Sequence, residues 1–164
     1  MSAPALEDTA YVSYGQILIF DQDVALPGLH WSDQHYAQGF ARQPSSIALR
    51  TLIEYGEAVV RVWIGSPATS LESYIRAHAL PLVVSSGTVL IEGPEEHQVR
   101  RTLSLPKGNY RLVLGQAPIA EDEQRVDLFF ERVHEPLSES AVLLQDEDLA
   151  PVMPYLETAE TAQA

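Results

Sequence analysis

The chain has 164 residues, 46% of them hydrophobic and none of them cysteine, with 23 acids against 10 basic residues and a formal net charge of −13; Lys107 is its only lysine. A field of that sign repels DNA and RNA, because affinity for nucleic acid comes from Lys and Arg neutralising phosphates, so the composition argues against direct nucleic-acid binding and favours a basic protein partner. Without cysteine there is no disulfide, thiol nucleophile or thiolate zinc site, and the length suits one domain with a sizeable core.

Residues 1–10 show no basic segment followed by an apolar run, and no stretch approaches the ~20 apolar residues of a membrane span. They are expected to form a flexible N-terminus on a cytoplasmic protein that does not meet a membrane. Tyr11 to Phe20, YVSYGQILIF, alternates in the manner of a strand and stops at the turn residues from Asp21 to Gly28. Ser32 is placed to cap a short helix that carries Tyr36 and Phe40 one turn apart and ends near Gly39. Strand-like runs follow at Ser46–Ile53 and Glu57–Ile64, meeting across Glu54-Tyr55-Gly56. Ser73–His78 reads as a strand or a turn of helix, since periodicity does not separate them. Leu80–Ser85 and Thr88–Glu92 look like paired strands joined through Gly87, and Thr102–Pro106 leads to Tyr110–Leu114 through a tight Lys107-Gly108-Asn109 turn. Arg125–Val133 supplies the last strand. About eight short strands with regular turn signals and one small helix define an all-β fold, an antiparallel β-sandwich over residues 11–134.

From residue 121 onward twelve acids stand against Arg125 and Arg132, leaving −10 of the charge in the last quarter of the chain. Residues 135–164 are expected to be an acidic appendage, partly docked through Val142, Leu143, Leu144 and Leu149, with Thr158 to Ala164 disordered.

His30, Asp33 and His35 have the spacing closest to a metal site, two imidazoles and a carboxylate within six residues, but a helix starting at Ser32 would splay Asp33 and His35 by roughly 200°. They form a weak alternative beside a reading with no metal and no cofactor. His78, His97 and His134 have no companion at useful spacing. No G-x-S-x-G elbow is present, and the nine glycines lie singly in turns and form no phosphate loop, so no catalytic residue is assigned and the chain is read as a non-enzyme. Trp63 lies in an apolar strand and is expected in the core. Trp31, in a polar loop, is expected exposed, where tryptophan acts as an interface anchor. Glu121, Asp122 and Glu123 fall in a turn, and Asp146, Glu147 and Asp148 form a second acidic knot. Each is ordinarily a solvated turn, but with Glu95 and Glu96 they would imitate the spacing of phosphates.

Ser13-Tyr14-Gly15-Gln16-Ile17-Leu18-Ile19-Phe20, Trp31-Ser32-Asp33 with Gln38-Gly39-Phe40, and Leu103-Ser104-Leu105-Pro106-Lys107-Gly108-Asn109-Tyr110-Arg111-Leu112 together resemble the competence protein J family. The likeness runs from about Ser13 to about Val133 and leaves out the acidic tail. The family includes the inhibitor of the DNA-entry nuclease of competent bacteria. The resemblance implies a small protein that binds a nuclease and blocks it without catalysis, with Trp31 and Asp33 as binding candidates matching the family pattern.

Two readings stand beside this one: a β-sandwich binding a small molecule or carbohydrate on Trp31, and a metal-dependent enzyme using His30, Asp33 and His35. An open edge strand would also permit a homodimer through sheet extension.

Overall fold

Alternating apolar residues dictate where the core lies. Along Gly56–Ile64, Ala58, Val60 and Val62 are fully buried while Val59 and Arg61 are only half-buried, the two-residue period of a strand with one covered face. The computed structural model describes residues 3–67, 70–96 and 101–162. In chain order they form β1 (Leu6–Val12), β2 (Gln16–Asp21), α1 (Asp33–Gln38), β3 (Phe40–Gln43), β4 (Ser46–Arg50), β5 (Gly56–Ile64), a 3-10 turn (Leu71–Ser73), β6 (Arg76–Val84), β7 (Thr88–Glu92), β8 (Arg101–Ser104), β9 (Gly108–Ala120), β10 (Glu123–Val133) and β11 (Ala141–Leu144).

The strands make two sheets, one ordered β1-β5-β10-β9-β6-β11 and the other β3-β4-β2-β7-β8. Among these pairs only β5 and β10 run parallel. Ile17, Ile19, Ile47, Leu49 and Ile91 of the smaller sheet pack with Val60, Val62, Leu80, Leu112, Leu128 and Phe130 of the larger. Each such side chain contributes roughly 1.5–3 kcal/mol on leaving water. The fold is an all-β sandwich with one short helix.

Among the described residues eleven strands stand where about eight were expected, and several of the differences lie at turns that change sheets. The run Tyr11–Phe20 is broken because Tyr14 (φ 54°) and Gly15 (φ 66°) both take left-handed backbone, which carries the chain from β1 in one sheet to β2 in the other. Leu80–Ser85 and Thr88–Glu92 do not pair: β6 and β7 belong to different sheets, and Ser85-Ser86-Gly87 arches between them. The Asp21 carboxylate holds this arch, accepting the backbone N–H of Ser85 at 2.8 Å and of Ser86 at 3.0 Å. Lys107-Gly108-Asn109 likewise crosses from β8 to β9. A tight glycine turn reverses the chain equally well within a sheet or between sheets, so the turn residues do not tell the two apart. Ser73–His78 divides into the end of the 3-10 turn and the start of β6.

Both ends of the chain are more ordered than the sequence led us to expect. β1 begins at Leu6 and pairs with β5, and the Ala5 N–H donates to Val62 O at 2.7 Å, so the boundary expected at residue 11 falls inside a strand. At the other end β11 pairs with β6, and the chain beyond it crosses α1 and β3. Gln38 bonds Leu156 in both directions, Gln43 Nε2 donates to Ala159 O at 3.0 Å, Thr161 bridges Leu29, and the Ala162 N–H donates to Gly28 O. Thr158 to Ala162 are thus in place where disorder was expected, because polar side chains of α1 and β3 satisfy their backbone groups. Met1, Ser2, Gln163 and Ala164 lie outside the described residues.

Candidate functional site

Four connections meet at one end of the sandwich. The Tyr14-Gly15 turn is tied to the β4–β5 loop by Gly15 N–H donating to Glu54 O at 2.9 Å and Thr51 N–H donating to Gly15 O. The loop after β7 presses in beside them: a Cβ at Gly93 would lie 1.7 Å from Tyr11 O, so only glycine allows this approach. The β9–β10 turn closes the same end, with Asp122 O accepting the Glu57 N–H.

Four exposed tyrosines stand at this end: Tyr11 (48%) near the end of β1, Tyr14 (65%) in the turn after it, Tyr36 (57%) on α1 and Tyr55 (45%) in the β4–β5 loop. Tyr14 and Tyr55 meet edge to face with centroids 5.6 Å apart. Beside them a cleft of about 240 Å³ is lined by Tyr14, Gly15, Gln16, Trp31, Tyr36 and Arg50. The Arg50 guanidinium lies 3.6 Å over the Tyr36 ring and donates to Tyr36 O and Asp148 O. Partial desolvation, then the neighbouring Tyr14, Glu54 and Glu95, push the Tyr55 hydroxyl above the ordinary phenol range. It therefore stays a neutral donor in a negative field.

α1 forms because Ser32 caps it: its hydroxyl accepts the His35 N–H at 3.3 Å while its own N–H donates to His35 Nδ1 at 3.0 Å. This box seats Tyr36 on the cleft and leaves Asp33 exposed in the first turn, three residues before it. It also consumes His35, whose Nε2 donates to Thr158 O at 2.9 Å. Nδ1 being an acceptor, the proton sits on Nε2 and both ring nitrogens are occupied. His30, Asp33 and His35 are not brought together as ligands, and among the described residues no three His, Asp or Glu side chains converge to hold a metal. His97 lies outside the described residues.

Trp31 is half-buried, not exposed. It packs against the cluster of Leu18, Phe20 and Leu29 on the outer face of the smaller sheet, and its Nε1 is buried without a hydrogen-bond partner among the described residues. Trp63 is buried as expected but outside the main core, stacked on Phe129 at 5.1 Å on the outer face of the larger sheet.

The acids divide into two kinds. Glu95, Glu121, Asp122, Glu123, Glu147 and Asp148 are exposed. Glu96 is committed to Arg101, 3.0 Å from each of two guanidinium nitrogens, and to the Gly93 N–H. Asp146 is committed to Arg76, at 2.8 and 2.9 Å. Burial alone would raise the Asp146 carboxyl, but the hydrogen bonds and charge of Arg76 outweigh it and hold the group below the ordinary carboxylate range. Sequence reading did not find the tyrosines or Glu54. The available signal was Tyr14-Gly15 and Tyr55-Gly56, an aromatic beside a glycine in a turn, where there is no strand face to bury the ring.

Fold and site define a two-sheet β-sandwich whose one end is aromatic and rimmed by carboxylates. A model of the competence protein J (ComJ) family matches residues 9–135, and the chain belongs to that family. The crystal structure of ComJ from Bacillus subtilis, an inhibitor of the DNA-degrading activity of NucA, shares the fold: TM-score 0.67 and 20% identity over 81% of this chain and 99% of that one. The structure of a protein designated crocagin biosynthetic gene J matches at TM-score 0.46 and 16% identity, over 76% of this chain and 97% of that one. No curated protein matches the chain. Residues 136–164 lie beyond the family match; the described part of them, to Ala162, includes the strap over α1.

Proposed function

We propose that this chain is a protein inhibitor that binds a nuclease stoichiometrically through an acidic surface and performs no chemistry of its own. Membership of the competence protein J family is the observation that carries the reading. Its physical support is the charge: −13 on the whole chain attracts a basic, phosphate-binding partner and repels that partner's substrate. Of the candidate acids, Asp33, Glu95, Glu121, Asp122, Glu123, Glu147 and Asp148 are exposed and are joined by Glu54, whereas Glu96 and Asp146 are spent on internal arginines. Titrating the purified protein into a nuclease of the DNA-entry type from the same genome, with plasmid cleavage as readout, tests it. Inhibition complete near one equivalent and weakened by raised salt is expected. Unaffected cleavage at large molar excess would overturn the reading.

A further inference from the structure

We propose that the end of the sandwich bearing Tyr14, Tyr36 and Tyr55 is the face that meets the nuclease, and that an arginine or lysine of the partner settles on the Tyr14–Tyr55 pair between Glu54 and Glu95. This rests on the inhibitor reading above and assigns it a surface.

Four tyrosines left exposed at one end are unusual for a surface with no partner, since each ring keeps a large apolar area in water that association would cover. Tyrosine supplies rigid, amphipathic contact at low entropic cost, and interface anchors cluster around pockets. The cleft lined by Tyr14, Trp31 and Tyr36 is such a hollow, and Trp31 Nε1 beside it has no acceptor among the described residues.

The charges say which side chain fits where. Arg50 lies in the cleft, stacked on Tyr36 and bonded to Tyr36 O and Asp148 O, so the cleft excludes a second cation and suits an uncharged side chain. On the other side of Tyr14 the ring of Tyr55 is exposed, and the fields of Glu54 and Glu95 act on it. A guanidinium or ammonium there meets aromatic faces and carboxylates together. Asp33, Glu147 and Asp148 extend the negative rim on the α1 side. The opposite end, where β9 begins and β10 finishes, instead carries an open hollow lined by Gly108, Asn109, Arg132, Val133 and His134. The hollow has Arg132 and no carboxylate in its lining, and exposed tyrosines do not flank it.

The test is the kinetics of binding of the full chain to the same nuclease on a biosensor at two salt concentrations. Tyr55→Ala and Tyr14→Asn, the latter keeping a residue that tolerates left-handed backbone, are expected to raise the dissociation rate about tenfold or more. Glu54→Lys and Glu95→Lys should slow association, more at low salt, while Glu135→Lys near the opposite end should leave both rates within about twofold. Carbodiimide cross-linking of the unaltered complex guards against misfolded variants, with Glu54 or Glu95 expected joined to partner lysines. If the unaltered protein binds but all four variants bind like it, or the cross-links come only from residues 131–139, the surface assignment falls and the inhibitor reading stands. If the unaltered protein does not bind the nuclease, the inhibitor reading falls and takes the surface with it.

Discussion

Arg76 is almost completely buried, and Asp146, 70 residues away in sequence, supplies its counter-charge across two hydrogen bonds; Arg50 O and Thr51 O take a further N–H. Removing the carboxylate leaves a buried cation without compensation. Asp146→Ala is therefore expected to cost about 3 kcal/mol and to lower the thermal midpoint by roughly 10 °C, while the folded fraction keeps its affinity for the partner. Differential scanning calorimetry and the binding assay together check this; an affinity lost without a loss of stability would return Asp146 to the docking surface. His78 is a second buried titratable group, on β6. Burial drives its imidazole down to about 4, against a smaller opposing effect from the hydrogen bond between its Nε2 and Gln38 O. Nδ1 has no partner among the described residues, so a proton added there would have no acceptor. Between pH 6.5 and pH 4 the unfolded chain takes up a proton that the native chain refuses, so stability falls as pH falls through that window and this contribution is flat below it. The loss from this one group should total about 3 kcal/mol. His78→Gln keeps a donor near Gln38 O and should remove that slope; denaturant unfolding at pH 7, 5.5 and 4 reads it directly.

At the scale of elements, the strap after β11 is the largest departure from what the sequence suggests. Twelve acids past residue 120 read as a self-repelling tail. The strap is nevertheless held because Arg42 meets Glu157, Arg76 meets Asp146, and His35, Gln38 and Gln43 bond its backbone. Cutting the chain after Leu144 strips partners from all five side chains, two of them buried arginines. The shortened protein is expected to lose several kcal/mol, with a midpoint more than about 10 °C lower; hydrogen exchange should show α1 and β3 losing protection first. Exchange in α1 unchanged by the truncation would show that the strap only lies on the surface. The helix, its Ser32 cap and its Gly39 stop were legible because capping is local chemistry. So were most of the strand positions, which period-two alternation marks. Sheet membership was not: β1–β2, β6–β7 and β8–β9 join through turns that resemble hairpins, and the parallel β5–β10 pairing links residues 66 apart in sequence. The same distance hid the difference between free and spent acids, because nothing near Glu147 in the sequence distinguishes it from Asp146, whose arginine arrives from β6.

At the scale of the whole molecule, charge separates two ways of stopping a nuclease. A protein that coats DNA protects it by masking the substrate, but −13 with one lysine makes that route electrostatically closed. Mixed with plasmid at low salt and without nuclease, this protein is therefore expected to leave DNA mobility in a gel unchanged. A protein that fills the phosphate-binding cleft of the enzyme must instead compete with phosphates for the same cations. With the enzyme diluted well below the inhibition constant, so that inhibition no longer simply titrates it, raising plasmid concentration tenfold while well above the enzyme's half-saturation should then raise the inhibitor concentration needed for half-inhibition by about tenfold, since free enzyme is shared in proportion to ligand over affinity. Raised salt acts on both competitors, because each releases ions from the same surface, so the competition should persist when salt weakens the two together. Half-inhibition independent of DNA concentration would place the inhibitor on a surface that DNA does not use, and the acids would then serve encounter alone.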